Sequence, residues 1–338
     1  MEYGWQISDL EEKINSSSNS QRSLLEKDVY KEMINDYTQK RDSKGVITKA
    51  QFRRAINQFD ISNYQEEISL ILYIGQLLSP LEVELPIPTL SRYPEEDVVN
   101  LAKIYMRRKE PADYPYFRRI SNCQEKIQFC YLSSITSFLG KTYFLDKNNY
   151  YILVNSINGI QDTVTLLHES GHVENYLKYG INLSKYYAEL ASMTREHYSF
   201  DMLQSYDQKA EVEKQRNLSL NHYIARIIRL YSALYIFLLL KRNREYLKNV
   251  LVEFDRFSSC FDVKYLYELL SGSLEKEIGY ALSFIASLDI YSHCTPKEAN
   301  LFITGYQIGT RKVSKKAIDR VVQYLFGVLG PYQKVKNI

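Results

Sequence analysis

The feature that most constrains this chain is Thr165-Leu-Leu-His168-Glu169-Ser-Gly-His172-Val, two histidines four residues apart in an apolar segment. Residues at that spacing meet on one face only if the segment is helical, where four residues advance about 6 Å along the axis. His168 and His172 can then turn a ring nitrogen towards one metal ion. Glu169, one position round, is within reach of a water on that ion. A catalytic zinc takes three protein ligands and keeps one position for water. The fold must therefore bring a third ligand from another segment to the same helix face. Two unrelated histidines on a helix are the alternative, so the rest of the chain has to supply the context.

Much of the chain is helical by pattern. Apolar positions recur at three- and four-residue spacing over Leu24–Tyr37, Lys49–Asp60, Gln65–Leu78, Glu95–Arg107 and Cys123–Phe138. Residues 1–23 are polar and serine-rich, which predicts poor order. The proline-rich piece Pro80–Pro94 predicts an extended connection. The pattern then changes. Lys141–Leu145 and Tyr150–Val154, joined by Asp146-Lys-Asn-Asn149, have the β-branched and aromatic residues and turn chemistry of a hairpin. The motif helix follows, starting near Asp162. Gly180 predicts its stop and Ser184 the cap of a second helix through Glu196. Helical pattern resumes over Asn221–Arg244, Glu245–Phe257, Glu275–Ile290, Pro296–Gly305 and Ser314–Phe326. The expected fold is mainly α with a small β-hairpin beside the motif helix. A helical region, 24–139, and a site-bearing region, 140–338, form one continuous unit.

Glu189 is the leading third ligand. It lies 17 residues after His172, on the next expected helix, and an antiparallel helix pair can carry it back to the metal. Ser192 and Glu196 share its face at three- and seven-residue spacing. Such groups can orient a metal-bound imidazole by accepting its other N–H. A solvated acidic stripe is the other reading of Glu189 and Glu196.

Composition narrows the partners. With 338 residues, 45% apolar and 25% charged, the chain has the composition of an ordinary soluble globular protein. A net charge of +3, 43 basic residues against 40 acidic, is too small to argue for nucleic acid or an anionic membrane surface, and neither is expected as a partner. The most apolar run, Leu230–Leu240, is about half a membrane span and is flanked by Arg226, Arg229, Lys241 and Arg242, which predicts a core helix. Cys123, Cys130, Cys260 and Cys294 lack metal-ligand spacing and suit reduced thiols in a cytoplasm. Met1–Gln6 shows no signal-peptide pattern. The 30 tyrosines fit either coding bias or a cleft lined with phenols.

These residues carry a resemblance. His168-Glu-Ser-Gly171-His172, followed by Glu189-Leu-Ala-Ser192 and Glu196, resembles the thimet oligopeptidase/oligoendopeptidase F family of zinc metallopeptidases, which pairs a His-Glu-x-Gly-His helix with a Glu-x-x-Ser helix. The hairpin with Gly140, Asn155 and Gly159, and the stretch Glu277–Ser283 followed by Tyr306 and Gly309, are similar too, so the likeness covers roughly residues 136–330. It implies a helical zincin-type fold and one zinc held by His168, His172 and Glu189. Glu169 becomes the general base acting on zinc-bound water. It also implies a short unstructured peptide as substrate, Tyr280 as a donor to the oxyanion, and Gly171, Ser192, Glu196 and Asn155 as supporting residues. The chain departs from the family in length, in the shorter link between the two motif helices, and on the oxyanion side. There Glu268, Ser273 and Glu277 stand where the family has His and Tyr, and losing such a donor costs on the order of a hundredfold.

Other residues have plainer readings. His197 is expected as an ordinary surface residue and His222 as the opening of a helix. Adjacent helical residues such as His293 and Cys294 point about 100° apart, which disfavours a dyad. Arg226 and Arg229 fit either solvated helix charges or contacts to a substrate carboxylate. The expected function is zinc-dependent peptide hydrolysis, by an open cleft or one fitted to a dedicated peptide. A zinc-containing peptide-binding protein with weak catalysis is the alternative. A purely structural zinc suits the residues least, because such sites are four-coordinate and Cys-rich.

Overall fold

In the computed structural model the described residues are 47–81, 93–122, 126–130, 140–144, 150–156, 159–179, 186–206 and 209–332, with isolated helical positions before residue 35. The helix expected over 24–37, most of the connection at 80–94, the hairpin turn and the Gly180–Ser184 stop and cap lie outside them.

Helix α1 (Lys49–Gln58) opens on a reciprocal Thr48/Gln51 cap. Helices α2 (Gln65–Leu78), α3 (Glu95–Lys109) and α4 (Tyr114–Asn122) follow. Three strands come next: β1 (Ile127–Cys130), β2 (Gly140–Phe144) and β3 (Tyr150–Asn155), in sheet order β1-β3-β2. The hairpin is antiparallel, with Thr142 opposite Ile152 and Tyr143 opposite Tyr151. Every residue of β3 is buried, as the unbroken apolar run Tyr150–Val154 requires of a central strand.

The motif helix α5 (Ile160–Tyr179) packs on β2 and β3, on α3, and most extensively on α6 (Leu190–Leu203). Both helices are enclosed on nearly all sides and bury polar residues, including Asp162, Glu169, Glu174, Arg195 and Glu196. Buried polar groups need partners, so these side chains define networks rather than a solvated face.

Helix α7 (Lys209–Arg242) is 34 residues long and, by length and composition, could cross a membrane. Its most apolar window has mean hydropathy 1.6 and is 39% buried here, against α2 and other helices. Val212, Leu220, Ile224, Ile227, Leu230, Leu234 and Phe237 form its buried stripe. Helices α8 (Arg244–Val252), α9 (Phe254–Cys260) and α10 (Val263–Glu268) lead through a short π-helical turn, broken by Gly272 at φ +141°, into α11 (Leu274–His293). Helix α11 packs on α6, and α12 (Pro296–Gln307) and α13 (Lys315–Leu329) complete the shell.

Three sequence expectations are corrected. Residues 127–130, expected within a helix over 123–138, are the strand β1, paired in parallel with β3 so that Ile127 faces Ile152. Helix α7 starts at Lys209 rather than Asn221, so His222 lies in mid-helix. Helix α6 begins at Leu190, with Glu189 as its N-cap residue. Glu189 nevertheless has helical dihedrals, φ −85° and ψ −10°, and its carbonyl accepts from the Met193 amide at 2.9 Å, so the shared face with Ser192 and Glu196 survives.

Candidate metal centre

Two helices meet at the site because neither has bulk where they cross. A Cβ on Gly171 would lie 2.6 Å from Ser192 Oγ and 3.1 Å from Ser192 Cα, so only glycine lets α5 approach α6 this closely. The glycine between the two histidines and the serine three residues after Glu189 are therefore one contact, and it sets the spacing of the ligands on either side. Gly140 does the same for the sheet. A Cβ there would lie 2.5 Å from Thr165 Cγ2 and 2.8 Å from Glu169 Cγ.

At that crossing, ligand atoms of His168, Glu169 and His172 lie within 4.8 Å of one another. Glu189 Oε2 reaches in from α6, 3.4 Å from His168 Nε2 and 3.2 Å from His172 Nε2. These separations allow charge attraction, yet Glu189 Oε2 is buried and makes no hydrogen bond. An orphaned carboxylate oxygen between two imidazole nitrogens is a donor set, His2Glu, of the kind that holds a catalytic zinc. The residues fit the metal implied by the sequence.

Without an ion, the clustered groups shift one another. Burial alone would push both imidazoles down, but contacts with Glu189 and Glu196 raise His168 well above the ordinary histidine value, and Glu189 raises His172. Burial likewise pushes Glu189 up, and the two histidines reverse this, holding its carboxyl well below the usual range. The cluster is built to keep a carboxylate charged opposite positive charge.

Behind the ligands, His168 Nδ1 faces Glu196 Oε2 at 3.4 Å, which turns Nε2 towards Glu189. Glu196 is fixed in turn by the hydroxyls of Ser219, which donates to Oε1, and Tyr223, which donates to Oε2 at 3.0 Å. Glu169 is held by Thr142, whose hydroxyl donates to Glu169 Oε2 at 2.7 Å and to its carbonyl at 3.0 Å. Ser192 Oγ is buried without a hydrogen bond, so Ser192 serves the crossing rather than the ligands. Asn155 ends β3, buried, and is not among the described residues lining the cleft.

The cleft, about 470 Å³, is lined by Gly140, Thr165, His168, Glu169 and Glu196 on one side. Helix α7 supplies the facing wall with Ser219, His222, Tyr223 and Arg226, and α11 supplies Tyr280. That volume is within the usual range for a small-molecule or peptide subsite. Burial, and then the charge of Glu189, push the Tyr280 phenol up, so it stays a neutral donor. Arg226 lies over its ring, Cζ 3.7 Å from the centroid. Of the departures on the oxyanion side, Glu277 is bound by Arg226, while Glu268 is 3.6 Å from Lys264.

His197, expected at the surface, is 2% exposed, with Nε2 3.1 Å from Ser287 Oγ; burial depresses it to about 4. The spacing Ser219, His222, Tyr223, Arg226 at i, i+3, i+4 and i+7 puts four polar or aromatic groups on one face of α7, and that face was the available sequence signal for the facing wall.

No protein-family model and no curated protein matches the sequence. Solved structures do. Over 97% of its length the chain is similar to a structure assigned to oligoendopeptidase F from Bacillus anthracis str. Ames, at 14% identity and TM-score 0.49, covering 65% of that chain. Over 98% it is similar to PZ peptidase A with an inhibitor, at 15% identity and TM-score 0.49, covering 72% of that chain. A structure assigned to a peptidase from Chlamydophila abortus is similar over 96%, at 17% identity and TM-score 0.43, covering 63%. All three carry peptidase names. The chain spans about two thirds of their length.

Proposed function

We propose that this chain is a cytoplasmic zinc metallopeptidase of the oligopeptidase type, holding one zinc and hydrolysing short unstructured peptides. The observation that carries the reading is Glu189 Oε2, buried, unbonded and poised between His168 Nε2 and His172 Nε2, with the Glu169 carboxylate beside them. When bound, zinc supplies a water acidic enough to lose its proton near neutrality and a Lewis acid that polarises a carbonyl.

The protein's own groups have separable roles. His168, His172 and Glu189 would hold the ion, and Glu196 fixes the His168 ring through Nδ1. Thr142 holds the Glu169 carboxylate through Oε2, and Glu169 would act as the general base, taking a proton from water and returning it to the leaving amine. Tyr280, kept neutral, donates its phenolic proton as a hydrogen bond to the carbonyl oxygen as charge develops there. The substrate is an extended peptide lying across the cleft near the edge strand β2, whose first residue, Gly140, forms part of the lining.

The test is mass spectrometry of a peptide mixture incubated with purified protein, with and without a chelator. The expected result is chelator-sensitive cleavage by a protein containing about one zinc per chain. Glu169→Gln should retain the zinc and lose cleavage by about 10²- to 10⁴-fold. Full activity in that variant refutes the mechanism. Retained zinc and peptide binding with no cleavage by the unsubstituted chain favours the peptide-binding alternative.

A further inference from the structure

The wall opposite the metal ligands carries an arginine that the roles above do not use. Arg226 sits on α7 and reaches across to α11, 51 residues further along the chain. Its Nε donates to Glu277 Oε2 at 2.8 Å and its Nη2 to Glu277 Oε1 at 2.6 Å. This two-pronged pairing fixes the guanidinium plane, which a single hydrogen bond would not do. The same plane lies over the Tyr280 ring at 3.7 Å, a cation–π contact that locks phenol and guanidinium together. Tyr265 adds a further brace, its hydroxyl 3.4 Å from Glu277 Oε2. Nε and Nη2 are committed to Glu277, which leaves Nη1 outside that pairing, and Arg226 and Tyr280 both line the cleft.

We propose that Arg226, clamped by Glu277 and stacked on Tyr280, is the second oxyanion donor of this cleft. In this role its remaining N–H groups hydrogen-bond the scissile carbonyl oxygen as negative charge develops, alongside the Tyr280 hydroxyl. The proposal rests on the peptidase reading. It assigns a purpose to Glu277: its carboxylate aims the guanidinium. A fixed cation in a partly enclosed cleft stabilises developing charge more than the same cation in water, and needs no reorganisation during the reaction. Arginine suits this place because it stays protonated and its planar fork can serve Glu277 and substrate at once, which lysine cannot.

The experiment measures kcat and KM on a peptide that the unsubstituted protein cleaves, together with the affinity of a phosphinic peptide, whose tetrahedral anion mimics the transition state. Arg226→Gln is expected to lower kcat by about 10²-fold or more, and to weaken the phosphinic peptide by a similar factor. KM should stay within about threefold, since the interaction forms mainly in the transition state. The variant should bind zinc as before. Arg226→Gln/Glu277→Gln leaves no charge unpaired in the wall and should behave like the single variant, which separates the donor role from damage caused by an orphaned Glu277. An Arg226→Gln protein with kcat within about twofold of the parent overturns the role, and so does one in which KM alone changes. If the unsubstituted protein binds zinc but neither cleaves peptides nor binds the phosphinic peptide, the peptidase reading itself fails and the role of Arg226 falls with it.

Discussion

Gly171→Ala is the sharpest test of why the two ligand-bearing helices meet where they do. In an open helix this change stabilises by up to about 1 kcal/mol, because alanine loses less backbone freedom on folding. Here the new Cβ would stand 2.6 Å from Ser192 Oγ, 3.1 Å from Ser192 Cα and 3.4 Å from Ser192 Cβ. Carbon contacts are comfortable at about 3.5–4.0 Å, so the helices must part by roughly half an ångström. The obstacle includes backbone, which cannot swing aside as a flexible side-chain tip would. Overpacking of that kind costs about 1–3 kcal/mol, and at a backbone contact the upper half of the range applies. Set against the helical gain, the net loss is about 1–2 kcal/mol. The same displacement pulls Glu189 away from His172, so zinc affinity should also fall. Urea unfolding of the metal-free protein and a zinc competition titration measure the two effects. Ser192→Ala removes the closest contact and, since Ser192 Oγ makes no hydrogen bond, should be nearly neutral alone. Combined with Gly171→Ala it should recover about 0.5–1 kcal/mol as a coupling energy. A Gly171→Ala protein that is more stable than its parent, with unchanged zinc affinity, refutes the close-crossing account.

Two further outcomes concern groups near the site. Arg195, buried on α6, donates to Glu110 through Nε (2.9 Å) and Nη2 (2.5 Å), to Glu174 through Nη2 (2.8 Å) and to Ser170 through Nη1 (3.2 Å), tying α6 to α5 and to the end of α3. Arg195→Met leaves Glu110 and Glu174 buried without their cation and should cost about 3–5 kcal/mol in urea unfolding; a loss under about 1 kcal/mol contradicts that bracing role. His197, held to about 4 by burial, with Glu196 and Asp201 opposing and Arg216 and His168 reinforcing the shift, stays neutral in the folded chain while the unfolded chain protonates near 6.5. Stability from this group is therefore complete above pH 6.5 and declines by about 3 kcal/mol as pH falls towards 4. His197→Gln should flatten that part of the curve of unfolding free energy against pH, and an unchanged slope counts against the assignment.

The site was legible in the sequence wherever its chemistry is local. The motif helix, the hairpin before it and the Glu189/Ser192/Glu196 face all follow from spacing within short segments, and the structure has each of them. Contacts that join distant segments were not legible. Thr142 and Glu169 are 27 residues apart, and nothing in a strand's alternation says which hydroxyl will hold a base. Nothing in the sequence joins Arg226 to Glu277, 51 residues away, and only the packing of α7 beside α11 makes them a pair. Strand β1 was mistaken for helix because four residues with an apolar pattern fit both periods, and its parallel pairing with β3 decides the matter. His197 is expected at the surface, whereas α6 is enclosed on nearly all sides, so both Glu196 and His197 face partners inside the protein. The reason for Gly171 needed both helices in place.

A crystal structure of the zinc-loaded protein, with anomalous difference density recorded at the zinc edge, locates the ion directly. Two clusters of described residues could hold a metal: His168, Glu169 and His172 at the helix crossing, and Glu110, Asp113 and Glu174 behind it, where Arg195 and Lys178 already neutralise the carboxylates. The account predicts a single peak about 2.0–2.2 Å from His168 Nε2, His172 Nε2 and a Glu189 carboxylate oxygen, with Glu169 outside the coordination sphere. A peak at the Glu110 cluster, or one coordinated without Glu189, would contradict it.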